Sequence, residues 1–113
     1  MEIKRKGNRP FDEIREIKIK KSFLKYASGS CFIELGDTKV ICAVNYEDKV
    51  PTWLKDTGNG WITAEYSLLP SSTTERTQRT SILSGRTQEI QRMIGRSLRG
   101  VVDLKRIGER TFW

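Results

Sequence analysis

Two β-rich runs, Ser30 to Leu35 and Thr38 to Tyr46, flank the dipeptide Gly36-Asp37. A two-residue connection forces the strands back on each other, and the turn then fixes their register. Leu35 closes the hairpin against Thr38, which sets Cys31 opposite Cys42. Asp37 is explained by the turn itself. Counted from the closing pair, the two cysteines form a hydrogen-bonded pair with Cα atoms about 5.5 Å apart, so a disulfide is geometrically conceivable. The expectation is instead two small, buried, reduced thiols, as suits a cytosolic chain.

The rest of the first half is read around this hairpin. Residues 1–15 are charged and contain Gly7 and Pro10, which predicts an extended arm. From Glu16 to Leu24, Ile17, Ile19 and Phe23 fall on one side and lysines on the other, the pattern of a half-buried strand. Glu47 to Asn59 reads as a loop with one apolar touch at Trp53-Leu54. Gly60 to Leu69 alternates Ile62, Ala64, Tyr66 and Leu68 against Trp61, Thr63, Glu65 and Ser67, and Pro70 ends that strand. Residues 71–81 are a polar loop rich in Ser and Thr that carries Arg76 and Arg79.

The period turns helical from Ser84 to Ile107. Ile90, Ile94, Leu98 and Val101 form one stripe, flanked by Met93, Val102 and Leu104. Arg92, Arg96 and Arg99 lie off it, and Gly108 is the expected stop. Glu109 to Trp113 begins a further extended segment. Strands plus one long helix predict an α+β layer in a single domain spanning residues 1–113. One helix and a short sheet leave apolar surface uncovered, so oligomerisation is expected.

Charge narrows the partners. The chain carries a net +7, and residues 71–113 hold nine lysines and arginines against four acids. A polyanion suits that field, as does a solvated basic surface with no specific partner. With no histidine and two cysteines, Ser-His-Asp triads, Cys-His pairs, HExxH zinc sites and four-ligand zinc sites are excluded. No run is long and apolar enough for a membrane span, and no signal-peptide region is evident.

Ser84-Gly85-Arg86 stands where the helix begins. A helix start offers unpaired N–H groups and partial positive charge, and arginine adds a planar fork suited to phosphate. Ser84 is the N-cap, with Gln88 and Glu89 placed in the first turn. The same residues also describe an ordinary capped helix with a solvated arginine. Arg76 and Arg79 suit a nucleic-acid backbone or a solvated loop. Arg92, Arg96 and Arg99 could bind RNA, pair with acids of a neighbouring subunit, or remain solvated. Trp53, Trp61 and Tyr66 could stack bases, although aromatics on strands are more often core. Asp37, Glu47, Asp48 and Asp56 form no recognisable metal or acid/base pair.

Several segments together resemble one family. They are Gly36-Asp37-Thr38-Lys39-Val40-Ile41-Cys42, then Gly60-Trp61-Ile62-Thr63-Ala64-Glu65-Tyr66 with Leu69-Pro70. The most specific is Ser84-Gly85-Arg86-Thr87-Gln88-Glu89-Ile90-Gln91-Arg92, continuing through Ile94-Gly95-Arg96-Ser97-Leu98-Arg99 to Val102-Asp103-Leu104 and Gly108-Glu109-Arg110-Thr111. In order and spacing they resemble the N-terminal half of the ribonuclease PH family, over nearly the whole chain.

The resemblance implies the N-terminal part of a β-α-β fold like domain 2 of ribosomal protein S5, with a mixed or antiparallel sheet packed by one long helix. It implies a cytoplasmic, phosphate-dependent 3′→5′ exoribonuclease that trims tRNA 3′ ends and releases nucleoside diphosphates. Inorganic phosphate is the co-substrate and a divalent metal, Mg2+, assists. RNA 3′ ends and further copies in a hexameric ring are the partners, with neither membrane nor DNA. The phosphate-binding arginine of the family falls on Arg86, and its loop arginines that hold tRNA fall on Arg76 and Arg79. Ser71 replaces the usual arginine after Leu-Pro. Arg79-Thr80 and Ile82-Leu83 replace the usual Arg-Glu and Gly-Lys, which implies a weaker grip on RNA. The family's Gly-Gly-Thr-Arg loop and catalytic aspartates have no counterpart, so neither catalytic residues nor metal ligands are expected in this chain. The competing expectation is an inactive truncated relative kept as an RNA-binding or assembly subunit.

Overall fold

The computed structural model describes residues 4–75 and 84–113. They belong to two compact units, Met1–Asn45 and Tyr46–Trp113.

In the first unit, β1 (Lys4–Arg5) and β2 (Arg9–Pro10) pair antiparallel, with Arg5 opposite Arg9. Residues 1–15 are therefore not a plain extended arm. Gly7 (φ 79°) and Asn8 (φ 64°) turn the chain, using the left-handed conformation these two residue types tolerate best. A second, larger sheet follows in the order β3-β4-β5, from Ile17–Lys21, Gly29–Leu35 and Thr38–Val44. Its central hairpin has the predicted register, with Leu35 opposite Thr38 and Cys31 opposite Cys42. Gly36 sits at φ 59°, donates its N–H to the Glu16 carbonyl and so ties the turn to the start of β3.

Facing residues across the three strands share a side of the sheet. One face carries Ile17, Ile19, Ile33, Leu35, Val40, Cys31 and Cys42, and the other carries Lys18, Lys20, Phe32, Glu34, Lys39 and Ile41. Phe23 does not continue the isoleucine face. Ser22 takes φ 55°, and Phe23 then stacks on Phe32, 5.2 Å between ring centroids, beside the Lys20 ammonium. Nor is β3 half-buried: Ile17 and Ile19 are 47% and 59% exposed.

The second unit has a mixed sheet in the order β6-β8-β7, from Tyr46–Glu47, Thr111–Phe112 and Trp61–Ile62. The extended segment expected after Gly108 is thus the central strand β8, antiparallel to β6 and parallel to β7. The strand predicted over 60–69 is only two residues long. Its alternation persists, because Ile62 is buried and Ala64 and Tyr66 are half-buried while Thr63, Glu65 and Ser67 are exposed. The ladder does not: after Thr63 donates to the Phe112 carbonyl, β8 runs out, and the Tyr66 N–H is met by the Gln91 side chain instead.

Helix α1 runs from Gly85 to Arg99, ending eight residues short of the predicted Ile107. Gly100 caps it, its N–H reaching the Arg96 and Leu98 carbonyls. Asp103 then starts a separate turn, its carboxylate accepting from Lys105 N–H and its carbonyl from Arg106 N–H. Gly108, at φ 67°, ends that turn and not the helix. Ile62, 8% exposed, is the only buried hydrophobic residue among the described ones, so the apolar core is thin.

The inward side of α1 is wider than the predicted stripe, whose Ile90 and Ile94 are half-buried while Leu98 is exposed. Thr87 and Gly95 are buried, and Gln91 and Arg99 are half-buried. These four lie on one face at spacings of four, while Met93 and Val101 are 59% and 81% exposed. Gly95 lets the helix backbone approach the strand: a Cβ there would stand 3.7 Å from the Ala64 nitrogen and 3.0 Å from Arg99 Nη1.

Candidate functional site

The amino end of α1 is built by its cap. Ser84 has extended backbone, and its Oγ accepts from the Thr87 N–H at 3.1 Å and donates to Thr87 Oγ1 at 3.0 Å. The Ser84 carbonyl accepts from the Gln88 N–H. That last contact is the first bond of the helix itself, so one of the four N–H groups that a helix start leaves unpaired, that of Thr87, is used. Those of Gly85 and Arg86 have no partner among the described residues. The first turn contains no acid, because Glu89 is the fifth helical residue and lies just past it. Serine-to-alanine replacement at position 84 is expected to cost about 1 kcal/mol, read as a lower urea midpoint of the second unit.

Arg86 is exposed and has no hydrogen-bond or ion-pair partner among the described residues. Its guanidinium and the two unspent N–H groups give a local excess of donors at the positive end of the helix dipole. A Cβ on Gly85 would meet nothing within 4 Å, so the backbone there is open to a ligand. In its chemistry this arrangement of donors suits a small anion with several acceptor oxygens.

The other basic residues separate. Arg99 is committed internally. Its Nη1 donates to the Ile62 carbonyl at 2.6 Å and its guanidinium lies 4.4 Å from the Trp61 ring centroid. That removes it from the set of candidate RNA ligands. Arg92 and Arg96 remain exposed. Arg76 and Arg79 lie outside the described residues. Sequence reasoning missed Gln91 and Arg99 as supports of the strand; the signal was Thr87, Gln91, Gly95 and Arg99 recurring every fourth residue around a glycine. Arg99→Met keeps the length but drops a part-buried charge-assisted bond, and should cost about 2 kcal/mol in urea unfolding.

Among the aromatics, Trp61 and Tyr66 are half-buried, whereas Trp53 is 62% exposed and meets Trp61 edge-on at 4.8 Å. The Glu109-Arg110-Thr111 run is structural. Glu109 accepts from the Asp56 N–H, Arg110 pairs with Asp48 at 2.9 Å, and Thr111 donates to the Lys49 carbonyl. Three consecutive side chains thus tie down the 48–56 loop.

The model of the 3′ exoribonuclease family, domain 1, matches residues 13–112. The chain belongs to the ribonuclease PH family. It is 59% identical over 112 residues to ribonuclease PH of Moorella thermoacetica, covering 96% of this chain and 45% of that protein. Against ribonuclease PH of Syntrophomonas wolfei it is 55% identical, covering 98% and 48%. The chain spans about half the length of the curated relatives it matches, corresponding to the N-terminal half of this ribonuclease PH family. Among solved structures it is similar to a chain of the Archaeoglobus fulgidus exosome with RNA bound to the active site, at TM-score 0.71 and 28% identity. That match covers 96% of this chain and 45% of the other. A chain of the archaeal exosome core is similar at TM-score 0.67 and 28% identity, covering 96% and 41%. The expected α+β fold, with an antiparallel sheet and one helix among the described residues, is that of the N-terminal part of such ribonuclease PH chains.

Proposed function

We propose that the chain forms the phosphate-capturing half of a phosphorolytic 3′→5′ exoribonuclease that trims tRNA 3′ ends. The observation that carries this reading is the exposed, unpaired Arg86 beside two unspent N–H groups on an acid-free helix start. Inorganic phosphate held there keeps one oxygen free to attack the 3′-terminal phosphodiester in line. A phosphate-oxygen-to-phosphorus bond forms as the bond to the ribose 3′ oxygen of the shortened RNA breaks. That oxygen takes a proton, and the terminal nucleotide leaves as a nucleoside diphosphate. Fixed positive charge around the attacking phosphate offsets the negative charge gathering between the two phosphorus centres.

Among the described residues no three Cys, Asp or Glu side chains come together, and the sequence has no histidine. These residues do not fit a divalent cation, and Mg2+ is assigned to ligands this sequence does not contain. Arg76 and Arg79 are assigned to the RNA backbone through the family resemblance. A cytoplasmic ring of several copies is the proposed assembly. The exposed Ile17, Ile19, Val40 and Val44 support it, as does the likeness to exosome chains. No helix among the described residues is long and apolar enough to cross a membrane.

The test is incubation with a tRNA precursor extended at its 3′ end, with Mg2+ and either phosphate or chloride. Nucleoside diphosphates released only with phosphate support the proposal. Nucleoside monophosphates would mean hydrolysis and overturn it. RNA binding that weakens with salt, with no diphosphate released, would assign the chain to a non-catalytic RNA-binding role.

A further inference from the structure

Cys31 and Cys42 stand directly opposite each other in the antiparallel β4–β5 ladder. Both are free; Cys31 is half-buried and Cys42 is exposed, so the expectation of two buried thiols does not hold in this unit. Facing residues of an antiparallel pair have Cα atoms about 4.5–5.5 Å apart. That range lies inside the roughly 4.4–6.8 Å window a disulfide needs. The two side chains leave the same face, and the turn at Gly36-Asp37 locks their register. Lys21 stands opposite Cys31 on β3, which places an ammonium on the same face of the sheet.

We propose that Cys31 and Cys42 are a modification site: a dithiol that disulfides of low-molecular-weight thiols oxidise to a cross-strand disulfide in the folded protein. One thiolate attacks a sulfur of the small disulfide, forming a mixed disulfide and releasing one small thiolate. The facing thiol, losing its proton, attacks the protein sulfur and releases the second. One protein S–S bond forms, one small S–S bond breaks, and two protons pass to the two released thiolates. Two electrons go from the protein to the small disulfide, and thiols in excess reverse every step.

The pair behaves as a unit in other respects. Partial desolvation and the neighbouring Cys31 together push the Cys42 thiol above its ordinary pKa. The proton is lost when Cys42 resolves the mixed disulfide. Because the ladder already holds the sulfurs together, closure asks for side-chain rotation and no strand movement. In a reducing compartment the site rests as two thiols and closes only as the thiol pool becomes oxidised.

The test is treatment of the folded chain with oxidised glutathione, followed by intact mass and thiol counting. The expected product is a monomer lighter by two hydrogens, with both thiols lost and a raised melting temperature, all reversed by a reductant. Cys42→Ser should instead hold a stable glutathione adduct on Cys31. A second variant, Cys42→Ser with Ala43→Cys, moves the thiol one residue along to the opposite face, and should lose the intramolecular product. Wild-type chain that accumulates glutathione adducts, forms disulfide-linked dimers, or reacts only after denaturation would overturn the proposal. So would equal closure in the shifted variant.

Discussion

Replacing Arg86 by glutamine is expected to weaken inorganic phosphate binding roughly 10- to 100-fold, as loss of charge-assisted hydrogen bonds implies. The effect is specific to the ligand because Arg86 holds no part of the fold. It is exposed and has no ion-pair or hydrogen-bond partner among the described residues, and the cap below it is made by Ser84 and Thr87. Helix content by circular dichroism should be unchanged while the phosphate titration shifts. Arg86→Lys should recover only part of the loss, because an ammonium cannot present two parallel N–H groups to a phosphate. A glutamine variant that binds phosphate as tightly as the parent would remove Arg86 from the site.

Gly60→Ala is expected to destabilise the second unit by about 3 kcal/mol or more, at the upper end for overpacking. A Cβ at Gly60 would collide with the Gly108 carbonyl oxygen and with Ile107 Cγ1. Gly60 also donates its own N–H to the Leu104 carbonyl at 2.8 Å, so the backbone cannot retreat without breaking that bond. Displacing the 104–108 turn would drag on β8, which follows directly. All three tryptophans, Trp53, Trp61 and Trp113, lie in this unit, so fluorescence-detected urea unfolding reads it selectively. Gly85→Ala is the control: nothing lies within 4 Å of its added methyl, and stability should hold within about 0.5 kcal/mol. Equal midpoints for the Gly60→Ala variant and the parent would contradict the packing described for Gly60.

The features readable in sequence were those set by neighbours along the chain. A two-residue turn fixed the β4–β5 register to the residue, and Ser84 marked the helix start because a cap is a local hydrogen-bond problem. Interactions across long separations were hidden. That Glu109-Arg110-Thr111 would secure the 48–56 loop has no local signature. The inward face of α1 was only partly legible: apolar periodicity pointed to Ile90 and Ile94, both half-buried, but also to Leu98, which is exposed. The unpaired backbone at Ile62 and Tyr66 drew the polar Arg99 and Gln91 inward around Gly95. Ser22 reversed the side taken by Phe23 through a left-handed backbone that serine seldom adopts. At the candidate site, Arg86 was visible as chemistry, while the two unspent N–H groups required the actual hydrogen-bond pattern.

The central position of β8 carries a consequence for the order of assembly. The β3–β5 sheet closes through connections between sequence neighbours and can form as soon as Val44 is available. Strand β6 has to wait for Phe112 to pair with Tyr46, a closure over most of the chain and therefore an entropically slow one. During synthesis the first unit would stand folded, with Ile17, Ile19 and Val40 facing water, while the second has no sheet at all. Such an interval is when a nascent chain is most prone to self-association and has most need of a chaperone.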